Sequence, residues 1–189
     1  RRVLFRSGKL MKNEKIVEIA TREGFTDATI IDTANIVFDA SFRPYCEENL
    51  CGWYGANYSC PPDCGTPEEM KERVQKYKHA LVLRTVWDIN DFKDSSLIKS
   101  AKQKHNAYTI SVIEQMEKQG YSGFMVGASG CALCNNCLIT NGEPCKFPNK
   151  RYSCMSAYCI YVKDLAEKCG MIYDYKEGAL PFFSMYVYD

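Results

Sequence analysis

Three cysteines within seven residues, Cys131, Cys134 and Cys137, constrain this chain more than any other feature. They lie in the run Gly127-Ala128-Ser129-Gly130-Cys131-Ala132-Leu133-Cys134-Asn135-Asn136-Cys137, answered by Pro144-Cys145 and Pro148. A C-x2-C-x2-C run with a later cysteine near a proline is the pattern of a four-thiolate iron–sulfur site. Such a site offers several iron corners, so successive cysteines must turn around the cluster rather than converge on one atom. Zinc more often takes two separated C-x2-C pairs around a single tetrahedral ion. The fourth cysteine departs from the tightest form of the motif: seven residues separate Cys137 from Cys145, where that form has three. Gly127, Gly130 and Gly142 flank the thiols and allow backbone N–H groups to approach cluster sulfur.

Eleven cysteines in 189 residues decide the redox setting. They come in close runs, in a chain with no secretory hydrophobic segment, so metal binding in a reducing cytoplasm is expected over a disulfide scaffold. Met11 followed by Lys12-Asn13-Glu14-Lys15 reads as a natural start, which makes residues 1–10 vector-derived or trimmed and 11–189 a single metal-binding domain. A net charge of +1 favours neither nucleic acid nor a membrane surface as partner. No apolar run reaches transmembrane length.

The apolar periodicity predicts an α/β fold, a small mixed sheet flanked by helices. Ile16, Ile19 and Ala20 share one face of a helix over 12–23 that Gly24 closes. Residues 28–31 suit a short strand; 36–43 fit neither pattern. Thr66-Pro67-Glu68-Glu69 is a complete helix start, with Met70, Val74 and Tyr77 as the buried stripe behind it. Residues 79–87 read as a buried strand, 94–119 as a long helix ended by Gly120, and 121–126 as a strand leading into the Cys131 loop. This strand–helix–strand unit predicts a crossover connection. A helix over 154–168 closed by Gly170 and a terminal strand over 180–188 complete the expectation.

A second cysteine group lies upstream: Cys46, Cys51, Cys60 and Cys64. Gly52, Gly55 and the Pro61-Pro62 pair keep that segment out of regular helix or central strand. Cys60-Pro61 repeats the Cys-Pro step of cluster motifs. With Cys64 the group forms a four-thiolate set; without it, three ligands leave one iron open, which metal catalysis requires. A structural zinc is the plainer reading. Cys154, Cys159 and Cys169 are read as packing residues, Cys154 being the nearest to the cluster loop in sequence. His79 and His105, the only histidines, are read as structural. No catalytic triad can be assembled, no phosphate-binding glycine loop occurs, and thirteen scattered tyrosines suit sheet packing rather than base stacking. Lys146, Lys150 and Arg151 suit either a solvated turn or the approach of an acidic redox partner.

The segment Asn49-Leu50-Cys51-Gly52-Trp53-Tyr54-Gly55-Ala56-Asn57-Tyr58-Ser59-Cys60-Pro61-Pro62, the run from Cys131 to Pro148 and Ser156-Ala157-Tyr158 together resemble a family of predicted metal-binding proteins. It is a cysteine-rich domain of unknown function found mainly in anaerobic bacteria and archaea, and the resemblance covers nearly everything after Met11. It implies Cys46, Cys51, Cys60, Cys131, Cys134, Cys137 and Cys145 as metal ligands; Cys64, Cys154, Cys159 and Cys169 stand outside that set. The resulting expectation is a cytoplasmic protein holding one or two [4Fe–4S] clusters, passing single electrons to or from a partner protein. An open-iron enzyme acting on a small substrate and a zinc-stabilised binding module are the alternatives.

Overall fold

The structure, a computed structural model, describes residues 2–89, 93–174 and 178–189, with side chains in the first helix described from residue 12. Its frame is a five-stranded sheet in the order β1-β2-β5-β3-β4. The strands are β1 (Asp27–Asp32), β2 (His79–Asp88), β3 (Gly123–Gly127), β4 (Ser153–Cys154) and β5 (Ala179–Tyr188). The last strand of the chain is the central one. It pairs antiparallel with β2 from His79↔Tyr188 to Asp88↔Ala179, and antiparallel with β3 on its other side. Consequently β2 and β3 run parallel to each other but are separated by β5. The expected crossover is present, made by α4 (Ser95–Glu117), and it skips one strand position. Part of the polar turn before α4 lies outside the described residues.

Strand alternation assigns the two faces. Leu81, Leu83, Met125 and Tyr186 point to one side, where Ile16, Ile19 and Ala20 of α1 (Arg2–Glu23) meet Val112 and Met116 of α4. Ala80, Val82, Val126, Met185 and Val187 point to the other, against Met70 and Val74 of α3 (Pro67–Gln75) and Leu165 and Ala166 of α5 (Val162–Lys168). The stripes expected for α1 and α3 are buried, with Tyr77 only half-buried. Helix α1 extends further back than the predicted start, to Arg2.

The local punctuation follows the sequence. Thr66 accepts from the Glu69 amide at 3.2 Å while the Glu69 carboxylate accepts from the Thr66 amide at 2.8 Å, closing the capping box. Helices α1, α4 and α5 end alike, with Phe25, Tyr121 and Met171 each donating its amide back to the carbonyl five residues earlier across a glycine with positive φ.

Two stretches differ from expectation. Residues 36–43 follow a 3-10 turn (Thr33–Asn35) and contain the Phe38↔Ile160 bridge and a second 3-10 turn that runs into the short helix α2 (Arg43–Glu47). Helix is confined to Val162–Lys168, and the preceding residues 154–161 form an edge strand and turns. Cys159 has φ 54°, a left-handed backbone that stops a helix from propagating. Its carbonyl accepts from the Asp39 amide at 2.8 Å, and the Tyr161 amide donates to Val37 at 2.9 Å, so tertiary pairing fixes the end of this segment.

Candidate metal centre

Strand β3 delivers the chain into the downstream cysteine loop, and α4 holds the exit. Asn106, buried on α4, accepts from the Ala128 amide at 2.9 Å and donates to Ser129 Oγ at 2.9 Å. Gly127 is required by crowding: a Cβ there would stand 2.8 Å from the Tyr152 ring and 2.9 Å from the Ser129 carbonyl. The Tyr152 hydroxyl then accepts from the Ala132 amide at 3.3 Å. Thus pinned, the loop carries Cys131, Cys134 and Cys137 onto the wall of one open cleft that Cys145 also lines. The four thiols with the strongest sequence signature share one cavity.

The cleft's opposite wall comes from the upstream segment. Asn57 donates to the Cys131 carbonyl at 2.9 Å, and its own carbonyl oxygen accepts from the Ser59 amide at 2.9 Å. The Tyr58 amide points at Cys137 Sγ from 3.5 Å, and its hydroxyl donates to the Glu143 carbonyl at 2.7 Å. Arg151 stacks over the Tyr58 ring at 5.7 Å, which places a cation on this wall. The buried Ser59 hydroxyl lines the same cleft and has no hydrogen-bond partner among the described residues. A buried hydroxyl without a partner costs free energy unless something in the cleft accepts from it.

The upstream thiols gather beside this wall. Helix α2 carries the half-buried Cys46; Cys51 follows in an exposed turn; Cys60 and Cys64 are buried in one turn closed by the Cys64 amide on the Cys60 carbonyl at 3.0 Å. A Cβ on Gly130 would lie 3.1 Å from Cys60 Sγ, so the two cysteine loops touch at this point. Arg43 ties the group together, donating to the Gly65 and Ala157 carbonyls at 2.9 Å each, while its buried Nε has no partner.

Burial sets the protonation of these sulfurs. It pushes Cys46 up to about 11, with the charge on Cys154 adding to the effect and Arg43 opposing it. Burial also raises Cys60, and the neighbouring Cys154, Cys51, Cys64 and Cys46 add repulsion. Cys64 and Cys131 rise for the same first reason. Arg43 partly offsets the shift at Cys64, and the amides of Leu133 and Tyr152 do so at Cys131. Crowded neutral thiols of this kind become thiolates when a cation binds, because the ion reverses the local electrostatics.

The remaining candidates have structural surroundings. His105 is fully buried between Thr85 Oγ1 at 2.6 Å and Ser184 Oγ at 2.8 Å, and burial drives its pKa down to about 3. His79 pairs with Asp32 at 3.4 Å. Cys159 and Cys169 lie in or against apolar packing. Asn106, Tyr152 and Arg43 were not predicted to shape the site. For Asn106 a signal existed: a polar side chain beside His105 and Thr109 on the buried stripe of α4. Among the described residues no three His, Cys, Asp or Glu side chains converge closely enough to hold a single ion. The downstream thiols are instead distributed around a cavity.

The fold and these loops define a cysteine-rich α/β protein with two adjoining thiol groups. The chain belongs to the family described as predicted metal-binding protein (DUF2284), whose model matches residues 29–187, from within β1 to within β5. No curated protein and no solved structure matched it. The donor set fits a thiophilic metal: thiols around a cleft, an amide aimed at sulfur, and the buried Ser59 hydroxyl without an acceptor.

Proposed function

We propose that the protein is an iron–sulfur electron carrier. The observation that carries this reading is the shared cleft of Cys131, Cys134, Cys137 and Cys145, touched across Gly130 by Cys60 of a second thiol group. A bound [4Fe–4S] cluster would supply reversible one-electron chemistry. The chain's residues would do the rest. The four thiols hold the cluster, the amides of Tyr58, Leu133 and Tyr152 donate toward cysteine sulfur, and Arg151 moderates the negative charge. Hydrogen bonds and cations around sulfur raise the reduction potential by stabilising the more negative state. The spread of the thiols around a cavity supports a multi-iron core over one tetrahedral zinc.

Two adjoining thiol groups suit a short relay between a donor and an acidic or otherwise complementary partner protein. Eleven reduced cysteines suit a reducing compartment such as the cytoplasm. No described helix is long and apolar enough to cross a membrane.

Iron and acid-labile sulfide analysis of protein purified without oxygen, with EPR of the reduced sample, tests the reading. About eight irons and eight sulfides per chain, with signals from interacting centres, are expected for two cubanes. Zinc without sulfide after anaerobic reconstitution overturns it.

A further inference from the structure

We propose that the buried Ser59 hydroxyl is a hydrogen-bond donor to sulfur of the core held in the downstream cleft, and so a residue that sets its reduction potential. This rests on the iron–sulfur reading above for the nature of the core. The donor role itself holds for any thiolate-bound metal in that cleft.

Ser59 is held on the cleft wall because its neighbours on both sides are fixed to the downstream cysteine run. Two residues earlier, the buried Asn57 donates to the Cys131 carbonyl at 2.9 Å. Its side-chain oxygen accepts from the Ser59 amide at 2.9 Å, so one side chain ties the serine backbone to the loop. The Tyr58 amide points at Cys137 Sγ from 3.5 Å. On the other side, the Cys60 amide donates to the Asn57 carbonyl at 2.9 Å. Its sulfur stands against Gly130, where a Cβ would lie 3.1 Å away. Residues 57, 58 and 60 thus each meet the downstream loop, and Ser59 lies among them on the cleft that the four thiols line.

That placement leaves the hydroxyl one kind of partner. Ser59 is 2% exposed, its oxygen is shielded from solvent, and it makes no hydrogen bond among the described residues. A serine hydroxyl has one proton to donate, and leaving it unmatched in the interior costs free energy. Of the other side chains around the cleft, Asn57 and Tyr58 already hold partners, and Arg151 has only protons to give. Leu133 and Phe147 are apolar, so the side-chain acceptors that remain are the sulfurs of the four cysteines and whatever they hold. A neutral thiol is a weak acceptor; a metal-bound thiolate or cluster sulfide carries negative charge and accepts more strongly. The hydroxyl is therefore a preformed donor that gains its partner when the core binds. An O–H···S bond favours the more negative, reduced core, so it raises the reduction potential.

The test is an EPR-monitored redox titration of full-length wild type, Ser59→Ala and Ser59→Thr, each reconstituted without oxygen. The downstream centre is identified as the signal that Cys134→Ala lacks. Ser59→Ala should keep the wild-type iron and sulfide content while its downstream centre titrates at a more negative potential. Ser59→Thr, which restores a hydroxyl, should return the potential toward the wild-type value. An unchanged or more positive potential in Ser59→Ala overturns the proposal, as does a threonine variant that behaves like alanine. If Ser59→Ala does not assemble the downstream cluster, Ser59→Gly takes its place in the titration with the same two outcomes. If the wild type holds zinc without sulfide, the iron–sulfur reading fails separately, and release of zinc to a chelator judges the hydroxyl. Severalfold faster release from Ser59→Ala than from wild type supports a donor to thiolate sulfur; equal rates overturn it. A wild type that takes up neither metal overturns both.

Discussion

The two cysteine regions are built in different ways. Downstream, three thiols lie in seven consecutive residues and a fourth follows within one loop, so chain connectivity alone brings them to one cleft. Upstream, Cys46, Cys51, Cys60 and Cys64 come from a short helix, an exposed turn and a proline-bounded turn. Arg43, on that helix, bonds the Gly65 carbonyl just beyond the proline-bounded turn and the Ala157 carbonyl. Thiols carried on one loop need the fold only to anchor them; thiols drawn from separate segments depend on the fold to approach one another.

The largest expected effect separates the regions outright. Cys134→Ala should remove the downstream metal, about half of the total, and leave the upstream signal intact in metal analysis and EPR. Loss of both would show that the upstream site depends on its neighbour and would break the comparison. Next come the anchors. Arg43→Met removes two charge-assisted hydrogen bonds and should destabilise the protein by about 2–4 kcal/mol in urea unfolding, with upstream metal lost preferentially. Asn106→Ala leaves the Ala128 amide without its acceptor and should cost about 2 kcal/mol, with downstream metal lost first. If each variant releases both metals equally, the two regions are one cooperative unit.

Acid sharpens the comparison by acting on the frame instead of the loops. His105 is held neutral by burial, with its folded pKa near 3 against 6.5 for the free side chain. Below about pH 6.5 the unfolded chain takes up a proton that the native state refuses, so this contribution is present above that pH and declines as pH falls toward 3. Between pH 7 and pH 5 the loss is about 2 kcal/mol. Urea unfolding of wild type and His105→Gln at the two pH values isolates the term, and an equal pH dependence in both would refute it. The smallest effect belongs to Thr66→Ala, which opens the α3 capping box at a cost of about 1 kcal/mol. Its metal content should not change, because α3 caps the chain after the upstream turn without lining the downstream cleft.

Elements whose signals are local were legible before any coordinates. The Thr66 capping box, the glycine ends of α1, α4 and α5, the apolar stripes of α1 and α3, and the downstream cysteine run are each specified within about a turn or a loop of chain. Propensity and periodicity are properties of neighbours in sequence, so reading neighbours suffices. Residues 154–161 show the limit. Their helical pattern loses to bonds with Val37, Asp39 and Gly127, partners far away in sequence.

By itself, then, the amino-acid sequence determined an α/β chain with thiol-rich loops, the helix boundaries marked by caps, and the four cysteines that line the downstream cleft. Only the tertiary structure decided that the last strand is central, that Asn106 and Tyr152 brace the downstream loop, and that Cys60 meets that loop at Gly130. The physical reason is that strand order and buried polar contacts depend on segments separated by long stretches of chain. Their partners are selected by packing and by satisfaction of backbone hydrogen bonds once the sheet has formed.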